Sequence, residues 1–190
     1  QVIHSHHYTN DGPLALKLES QIAEYLGVRN CVMTANGTLA LQLLFRALDL
    51  KGEVILPSFT FVATANAVLW EGLEPVFCDV SPSLSHNLDP NHCAELINTN
   101  TAAILGVHVW GNACDVEKLD VIAREHQIPL LFDAAHAFGC EHNGQLIGNF
   151  GDAEVFSFHA TKALHSGEGG AVTTNDDELA DKIRKMRSFG

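Results

Sequence analysis

The sequence predicts an α/β fold in which helices cover both faces of a mostly parallel sheet, giving three α/β/α layers. Short apolar runs alternate with segments of helical periodicity along the 190 residues. The apolar runs are continuous rather than interrupted at every second position, which is typical of strands that are buried on both faces. Hydrophobic residues make up 46% of the chain, enough for the large core that such a fold requires.

The helical segments are indicated by apolar spacing and by the residues at their ends. In the first segment Leu14, Leu18 and Ile22 lie on one face, Pro13 suits the first turn and Gly27 ends the helix. The last segment begins with acidic residues, which are favourable at a helix N-terminus. The predicted helices span residues 13–26, 38–50, 60–71, 116–126 and 176–189.

The apolar runs between these helices predict the strands of the sheet. They span residues 31–35, 53–56, 75–79, 102–109, 129–133, 154–159 and 170–174. Residues 82–90 form the most irregular stretch and are predicted to be a surface loop. Ligands of open α/β sheets bind at the carboxyl ends of the strands, so we looked for functional residues directly after each run.

The charge balance argues against two classes of partner. Eleven Lys and Arg residues stand against 23 Asp and Glu residues, a formal net charge of −12. The basic residues of the stretch 182–187 belong to a predicted amphipathic helix. We therefore expect neither a nucleic acid nor an anionic membrane as partner.

The cysteines and the start of the sequence indicate the compartment. Five cysteines without a CxxC pair predict buried, reduced thiols. No charged segment followed by an apolar one resembles a signal peptide, and no apolar stretch reaches the roughly 18 residues of a membrane span. A cytoplasmic protein is the simplest expectation. The histidines of residues 4–7 could bind a metal, but a mobile tail is favoured, and no metal site is predicted.

Two charged residues follow apolar runs and are candidates for catalysis. Lys162 comes after the run 154–159 and before a glycine-rich turn, where partial burial would favour a neutral, nucleophilic amine. Asp133 follows a wholly apolar run, where a carboxylate is costly unless it is paired. A pyridinium nitrogen would be a suitable partner, and a metal ion, a helix cap or a structural pair are the alternatives. Taken alone, the position of Lys162 favours an ordinary surface lysine.

Other residues in similar positions could bind an anion or a planar group. Gly37 and Thr38 open a predicted helix and offer free backbone amides, and Ser157 could add a hydroxyl. Phe61 follows a strand and could stack on a planar ligand. His136 could reach the same ligand. For each of these residues a structural role, as a helix cap or a core side chain, remains open.

The ordered set of these features is more specific than any one of them. It resembles the pyridoxal 5'-phosphate (PLP) enzymes of fold type I, and among them the DegT/DnrJ/EryC1/StrS family of sugar aminotransferases. The resemblance extends over nearly the whole chain. The matching stretches are residues 12–27, 35–41, 57–64, 75–80, 108–111, 133–136, 157–162 and 167–170.

The resemblance implies catalytic roles for two residues. Lys162 matches the lysine that forms the Schiff base with PLP and then acts as general acid and base. Asp133 matches the partner of the pyridinium nitrogen. The reaction implied is the transfer of an amino group, usually from glutamate, to a keto sugar that is attached to a nucleotide. A homodimer is also implied.

The resemblance assigns further cofactor contacts. Gly37, Thr38 and Ser157 match contacts to the phosphate, and Phe61 matches the aromatic residue that stacks on the ring. His136 occupies a position near the phenolic oxygen where many members of the family carry glutamine. Members of the family are considerably longer and have a second, smaller domain. Residues 1–190 are therefore expected to be the large PLP-binding domain without the smaller one.

Three alternatives were weighed. A PLP-dependent sugar dehydratase of the same family would carry a histidine in place of Lys162. For a truncated, non-catalytic PLP domain, the presence of both Lys162 and Asp133 argues against it and the shortness of the chain relative to the family argues for it. A nicotinamide-dependent enzyme would need GxGxxG after an early strand, whereas the glycine-rich stretch 167–170 comes late and lacks the third glycine.

Overall fold

The computed structural model describes residue 6, residues 9–81 and residues 86–189. Its helices are α1 (Pro13–Leu26), α2 (Gly37–Ala47), α3 (Val62–Trp70), α4 (Pro90–Leu96), α5 (Val116–His126) and α6 (Asp177–Ser188). Its strands are β1 (Asn30–Thr34), β2 (Glu53–Pro57), β3 (Glu74–Cys78), β4 (Thr101–Val107), β5 (Leu130–Asp133), β6 (Glu141–His142), β7 (Gln145–Leu146), β8 (Ala153–Ser157) and β9 (Gly170–Thr174). None of the described helices is both long and apolar enough to span a membrane.

Seven of the described strands form one sheet in the order β1-β9-β8-β5-β4-β2-β3. Strands β3, β2, β4, β5 and β8 are parallel neighbours, whereas β9 is antiparallel to both β8 and β1. Strand β1 consequently runs in the same direction as β8, and both end at the same edge. The prediction of a mostly parallel sheet is confirmed.

The two faces of the sheet belong to separate cores. Successive side chains of a strand point to opposite faces, so Leu131 packs in the core formed with α2, α3 and α6, and Phe132 in the core formed with α4 and α5. Helix α1 covers the rest of the second face, where Ile22 and Leu26 pack with Phe156. The predicted three-layer α/β/α arrangement is confirmed.

Most predicted elements are present with small differences at their ends. Helices α1 and α5 and strand β9 have the predicted bounds. Helix α2 ends at Ala47 rather than at residue 50. Asp49 has a positive φ of 51°, which is incompatible with a right-handed helix. Helix α3 begins at Val62 because Phe61 is extended. Strand β8 ends at Ser157, before the predicted residue 159.

The sequence predicts neither helix α4 nor the hairpin β6–β7. Helix α4 has seven residues, with Asp89 as its cap, and the hairpin β6–β7 has two residues in each strand. Both are too short to show a hydrophobic period. The loop predicted for residues 82–90 is therefore wrong at Pro90, where α4 begins, and residues 82–85 lie outside the described part. Of the histidines at 4–7, only His6 is described.

The cysteines are free thiols, as predicted. Cys31, Cys78, Cys93 and Cys114 are buried, and Cys140 is half-buried. Burial raises the pKa of Cys31, Cys78 and Cys93 to about 12. These thiols therefore remain protonated and pack as small apolar side chains.

Candidate active site

A cavity of about 590 Å³ lies at the carboxyl edge of the sheet and collects all of the predicted site residues. Its walls are formed by the ends of β5 and β8, by the turn between β1 and α2, and by the start of α3. Residues that are far apart in the sequence meet there because β1 and β8 end at the same edge. The predicted residues that line it are Gly37, Thr38, Phe61, Asp133, His136, Ser157 and Lys162.

One corner of the cavity has the properties of an anion site. The side chain of Asn36 caps α2 by accepting a hydrogen bond from the amide of Leu39 at 2.9 Å. The hydroxyl of Thr34 donates to the carbonyl of Asn36 at 2.9 Å and holds the turn. The amides of Gly37 and Thr38, which precede the first helical bond, have no acceptor among the described residues. Free amides at the positive end of a helix favour a phosphate.

Two glycines allow this corner to form. A Cβ on Gly37 would lie 3.2 Å from Cβ of Ser157, so the helix N-terminus lies directly against the end of β8. A Cβ on Gly170 would lie 2.6 Å from the amide nitrogen of Gly37, closer than real Cβ atoms approach. Glycine at both positions thus brings the free amides and the Ser157 hydroxyl to one place.

Asp133 lies at the centre of the cavity wall and is 7% exposed. The hydroxyl of Thr64 donates to Oδ2 at 2.9 Å, and the amide of Ala135 donates to Oδ1 at 3.1 Å. Thr60 and Thr64 share a further hydrogen bond of 2.8 Å. No basic side chain of the described chain forms an ion pair with this carboxylate. A buried carboxylate with acceptor positions still open towards a cavity favours a cationic donor, such as a protonated ring nitrogen.

Lys162 enters the cavity from a loop between β8 and β9. The backbone of that loop is held by hydrogen bonds from Lys162 to His159 at 2.9 Å and from Ala160 to Gly167 at 2.9 Å. The lysine is half-buried, and its ammonium makes no ion pair with any described residue. A lysine that is held in place and left unpaired is available to react with a ligand in the cavity.

His136 and Phe61 stand at the more open part of the cavity. Partial burial lowers the pKa of His136, the positive charge of Lys162 lowers it further, and Asp133 acts in the opposite direction. The imidazole is therefore neutral at neutral pH and can donate or accept a hydrogen bond. The ring of Phe61 is 70% exposed, so its face is available for stacking on a planar group.

The cavity is also lined by residues that the sequence does not predict as site residues, among them His159, Thr161 and Glu168 in the loop that carries Lys162. Nδ1 of His159 lies 2.9 Å from the Thr161 hydroxyl, and Nε2 lies 3.6 Å from Oε1 of Glu168. The only indication in the sequence is that all three residues lie close to Lys162. Which side chains of this loop face the cavity depends on the conformation of its backbone, which the sequence pattern does not give.

The residues present fit PLP chemically. The anion corner suits a phosphate, Asp133 suits a protonated ring nitrogen, the exposed face of Phe61 suits the ring, and Lys162 suits the carbonyl group. By contrast, the described residues contain no group of three or more His, Cys, Asp or Glu side chains arranged to bind a metal ion.

Comparison with known proteins agrees with this geometry. The model of the DegT/DnrJ/EryC1/StrS aminotransferase family matches residues 1–190. The chain is 43% identical over 183 residues to dTDP-4-amino-4,6-dideoxy-D-glucose transaminase from Shigella dysenteriae, covering 96% of this chain and 50% of the relative. It is 40% identical over 181 residues to GDP-perosamine synthase from Caulobacter vibrioides, covering 94% and 48%. The chain thus spans about half the length of these curated relatives.

A solved structure gives the same result for the fold. The crystal structure of DesI in the presence of its TDP-sugar product superposes with a TM-score of 0.94 at 49% sequence identity. The superposition covers 97% of this chain and 47% of that one. The three-layer fold of this chain is therefore that of the matched part of the DesI structure.

Proposed function

Because the chain belongs to the DegT/DnrJ/EryC1/StrS aminotransferase family, we propose that it binds PLP and transfers an amino group from a donor, glutamate, to a nucleotide-linked keto sugar. The observation that carries the proposal is the convergence of Lys162, Asp133 and the free amides of α2 on one cavity. The curated relatives act on dTDP- and GDP-linked sugars by name, which supports this class of substrate. Residues 1–190 are proposed to be the large PLP-binding domain.

Binding is assigned to residues of four elements. Gly37 and Thr38 hold the phosphate with their amides, and Ser157 adds its hydroxyl. Phe61 covers one face of the ring. His136, neutral at neutral pH, lies where it can exchange a hydrogen bond with the phenolic oxygen. Each of these residues lines the cavity.

The chemistry is assigned to two residues. When bound, the cofactor supplies a carbonyl carbon for the amine of Lys162 and a ring that accepts electrons from the carbon losing its proton. Asp133 keeps the ring nitrogen protonated, which its burial and its two hydrogen bonds support. Lys162, as a free amine, would act as the general base that takes the proton from the amino-bearing carbon of the donor, and its ammonium form would then act as the general acid. The donor leaves as a keto acid and the sugar gains the amino group.

A second copy of the chain is the proposed protein partner. Helix α3 and strand β3 expose large apolar side chains that are more than half accessible, namely Val62, Leu69, Trp70 and Phe77. Contiguous exposed apolar surface of this kind favours association. Size-exclusion chromatography with light scattering should give a dimer, and a Leu69→Asp variant should shift it towards the monomer.

The central test is the site of cofactor attachment. Borohydride reduction of the PLP-loaded protein should fix the cofactor to the peptide that contains Lys162, and Lys162→Ala should abolish the cofactor absorbance. Lys51→Ala is the matched control, since Lys51 is exposed and pairs only with Asp49 among the described residues. Labelling of another lysine would refute the assignment. Glutamate-dependent formation of the keto acid then tests the donor separately.

A further inference from the structure

Three aromatic rings form a cluster beside the cavity that the proposed mechanism does not use. The ring centroids of Phe59 and His86 are 5.2 Å apart, those of Phe59 and Trp110 5.6 Å, and those of His86 and Trp110 5.4 Å. Phe59 follows β2 and Trp110 follows β4, whereas Lys162 follows β8. Because the strand order is β8-β5-β4-β2, the aromatic cluster lies on the far side of the site from the lysine.

The chain neighbours of two residues of the aromatic cluster lie at or against the cavity wall. Phe59 directly precedes Thr60 and Phe61, which line the cavity. On the other side, a Cβ on Gly111, the residue after Trp110, would lie 3.6 Å from the carbonyl oxygen of His136. A ligand that fills the cavity and extends along the sheet edge therefore meets the cluster next.

Core packing does not explain these side chains. Trp110 is 63% exposed and Phe59 is 44% exposed. Trp110 also has a φ of 51° and a ψ of 29°, a left-handed conformation that is unfavourable for a bulky side chain. Outliers of this kind are concentrated at ligand sites, where the surrounding structure maintains them. Large rings that remain accessible beside a cavity indicate contact with a ligand.

We infer that the aromatic cluster binds the planar base of a nucleoside diphosphate, the part of the substrate that remains after the sugar has entered the cavity. This inference rests on the proposed function. Stacking on aromatic side chains accepts any base, because every base has a π-face. The cluster should therefore bind purine and pyrimidine nucleotides alike, and contribute affinity rather than discrimination between bases.

The fluorescence of Trp110 gives a direct measurement. The chain has two tryptophans, and Trp70 lies on α3, 79% exposed, so a Trp70→Phe variant leaves Trp110 as the reporter. Titration with UDP, GDP and dTDP should quench this fluorescence, whereas inorganic pyrophosphate should not. In the Trp70→Phe background, calorimetry should show that Trp110→Leu weakens binding of each nucleotide by about tenfold, or about 1.4 kcal/mol. A Trp110→Phe variant, which keeps an aromatic ring, should retain most of the parent's affinity for each nucleotide.

The possible results separate the base site from its alternatives. Binding that is unchanged in Trp110→Leu, or pyrophosphate that competes as well as UDP, would overturn the inference. So would a Trp110→Leu variant that changes the oligomeric state, which would assign the cluster to a second copy of the chain. Attachment of PLP to Lys162 is measured without nucleotide, so a failed base site leaves the proposed function intact, and a failed attachment leaves the nucleotide titration interpretable.

Discussion

Two carboxylates are buried side by side in the middle of the sheet, and only one of them faces the cavity. Asp133 ends β5, and Glu154 lies in the neighbouring strand β8, opposite Phe132. Asp133 is 7% exposed and Glu154 is wholly buried. Because alternate residues point to opposite faces, Asp133 faces the side of α2 and α3, and Glu154 faces the other core.

Glu154 is enclosed by protein atoms on every side. Oε1 accepts the amides of Gly148 and Phe150, both at 2.7 Å. Oε2 lies 3.3 Å from Nε2 of His108, which is also wholly buried. The amide of Cys114 donates to Nδ1 of His108 at 3.1 Å, which leaves the ring proton on Nε2, facing the carboxylate. This pair ties β4 to β8 and to the loop before it.

Asp133 differs in what its oxygens leave free. Each oxygen has one protein donor, from Thr64 or from Ala135, and the carboxylate borders open space. Burial of a carboxylate is therefore not by itself a sign of function. The distinguishing feature is whether the carboxylate is enclosed in the core beside a buried histidine, as Glu154 is, or borders a cavity that can hold a ligand, as Asp133 does.

The largest effect on stability is expected at Glu154. Glu154→Ala leaves His108 and two amides unpaired in the core, and should lower the free energy of unfolding by about 3–5 kcal/mol. Glu154→Gln keeps the shape and should lose less. Urea denaturation measures both, with Glu125→Ala as the control, because an exposed substitution on α5 should stay within about 0.5 kcal/mol. A Glu154→Ala variant as stable as the parent would remove the basis of the comparison.

Asp133→Asn should have the opposite pattern, with a small effect on stability and a large effect on the rate of amino transfer. The amide keeps one acceptor oxygen, so stability should change by about 1 kcal/mol. Since the amide cannot hold the ring nitrogen protonated, amino transfer should slow by about a hundredfold, or about 2.7 kcal/mol of barrier, with PLP retained. Asp120→Asn, on the surface of α5, is the control. Stopped-flow absorbance with glutamate measures the rate, and a normal rate in Asp133→Asn would contradict the assigned role.

Thr64→Val should have an effect on the rate that is smaller than that of Asp133→Asn. It removes the buried hydroxyl that donates to Asp133 and leaves the methyl packing in place. We expect a loss of stability of about 1 kcal/mol and a smaller loss of rate than in Asp133→Asn. Thr64→Ser retains the hydroxyl and should recover the rate. If Thr64→Ser is as slow as Thr64→Val, the hydroxyl is not what orients the carboxylate.

In the sequence, only position distinguishes Asp133 from Glu154. Both follow from the cost of a carboxylate among apolar residues, and that argument applies with equal force to each. Singling out Asp133 depended on its position after a run, at the edge where ligands bind. The partner of Glu154 is His108, which directly follows β4. Since β5 lies between β4 and β8, no local pattern specifies such a contact.

The fold likewise has parts that the local sequence predicts and parts that depend on long-range contacts. Long elements such as α1 and α5 show their period in the sequence and were predicted to the residue. The approach of Gly37 to Ser157 depends on β9 inserting antiparallel between β1 and β8, which is a long-range pairing. Helix α4 and the hairpin β6–β7 were missed because seven residues, or two, are too few for a period to appear.

The smallest expected effect is a change in the titration of His136, and it separates the two carboxylates electrostatically. Partial burial and the charge of Lys162 lower the pKa of His136, and Asp133 opposes them. In PLP-free protein, Lys162→Met should therefore raise the pKa of His136 part of the way to its ordinary value, since burial remains, and Asp133→Asn should lower it further. Glu154→Gln, on the other face of the sheet, should leave it unchanged. Imidazole proton signals followed by NMR against pH measure each shift.

The same lowered pKa sets a pH dependence of stability. Between the pKa of folded His136 and the ordinary value of about 6.5, the unfolded chain binds more protons than the folded one. Stability contributed by this group therefore falls as the pH falls through that window and is regained above it. His136→Gln, which carries the residue common in the family, should remove that part of the acid-side loss. If Glu154→Gln shifts the pKa of His136 as strongly as Lys162→Met does, the buried carboxylate of Glu154 acts on the cavity as the carboxylate of Asp133 does, and the comparison fails.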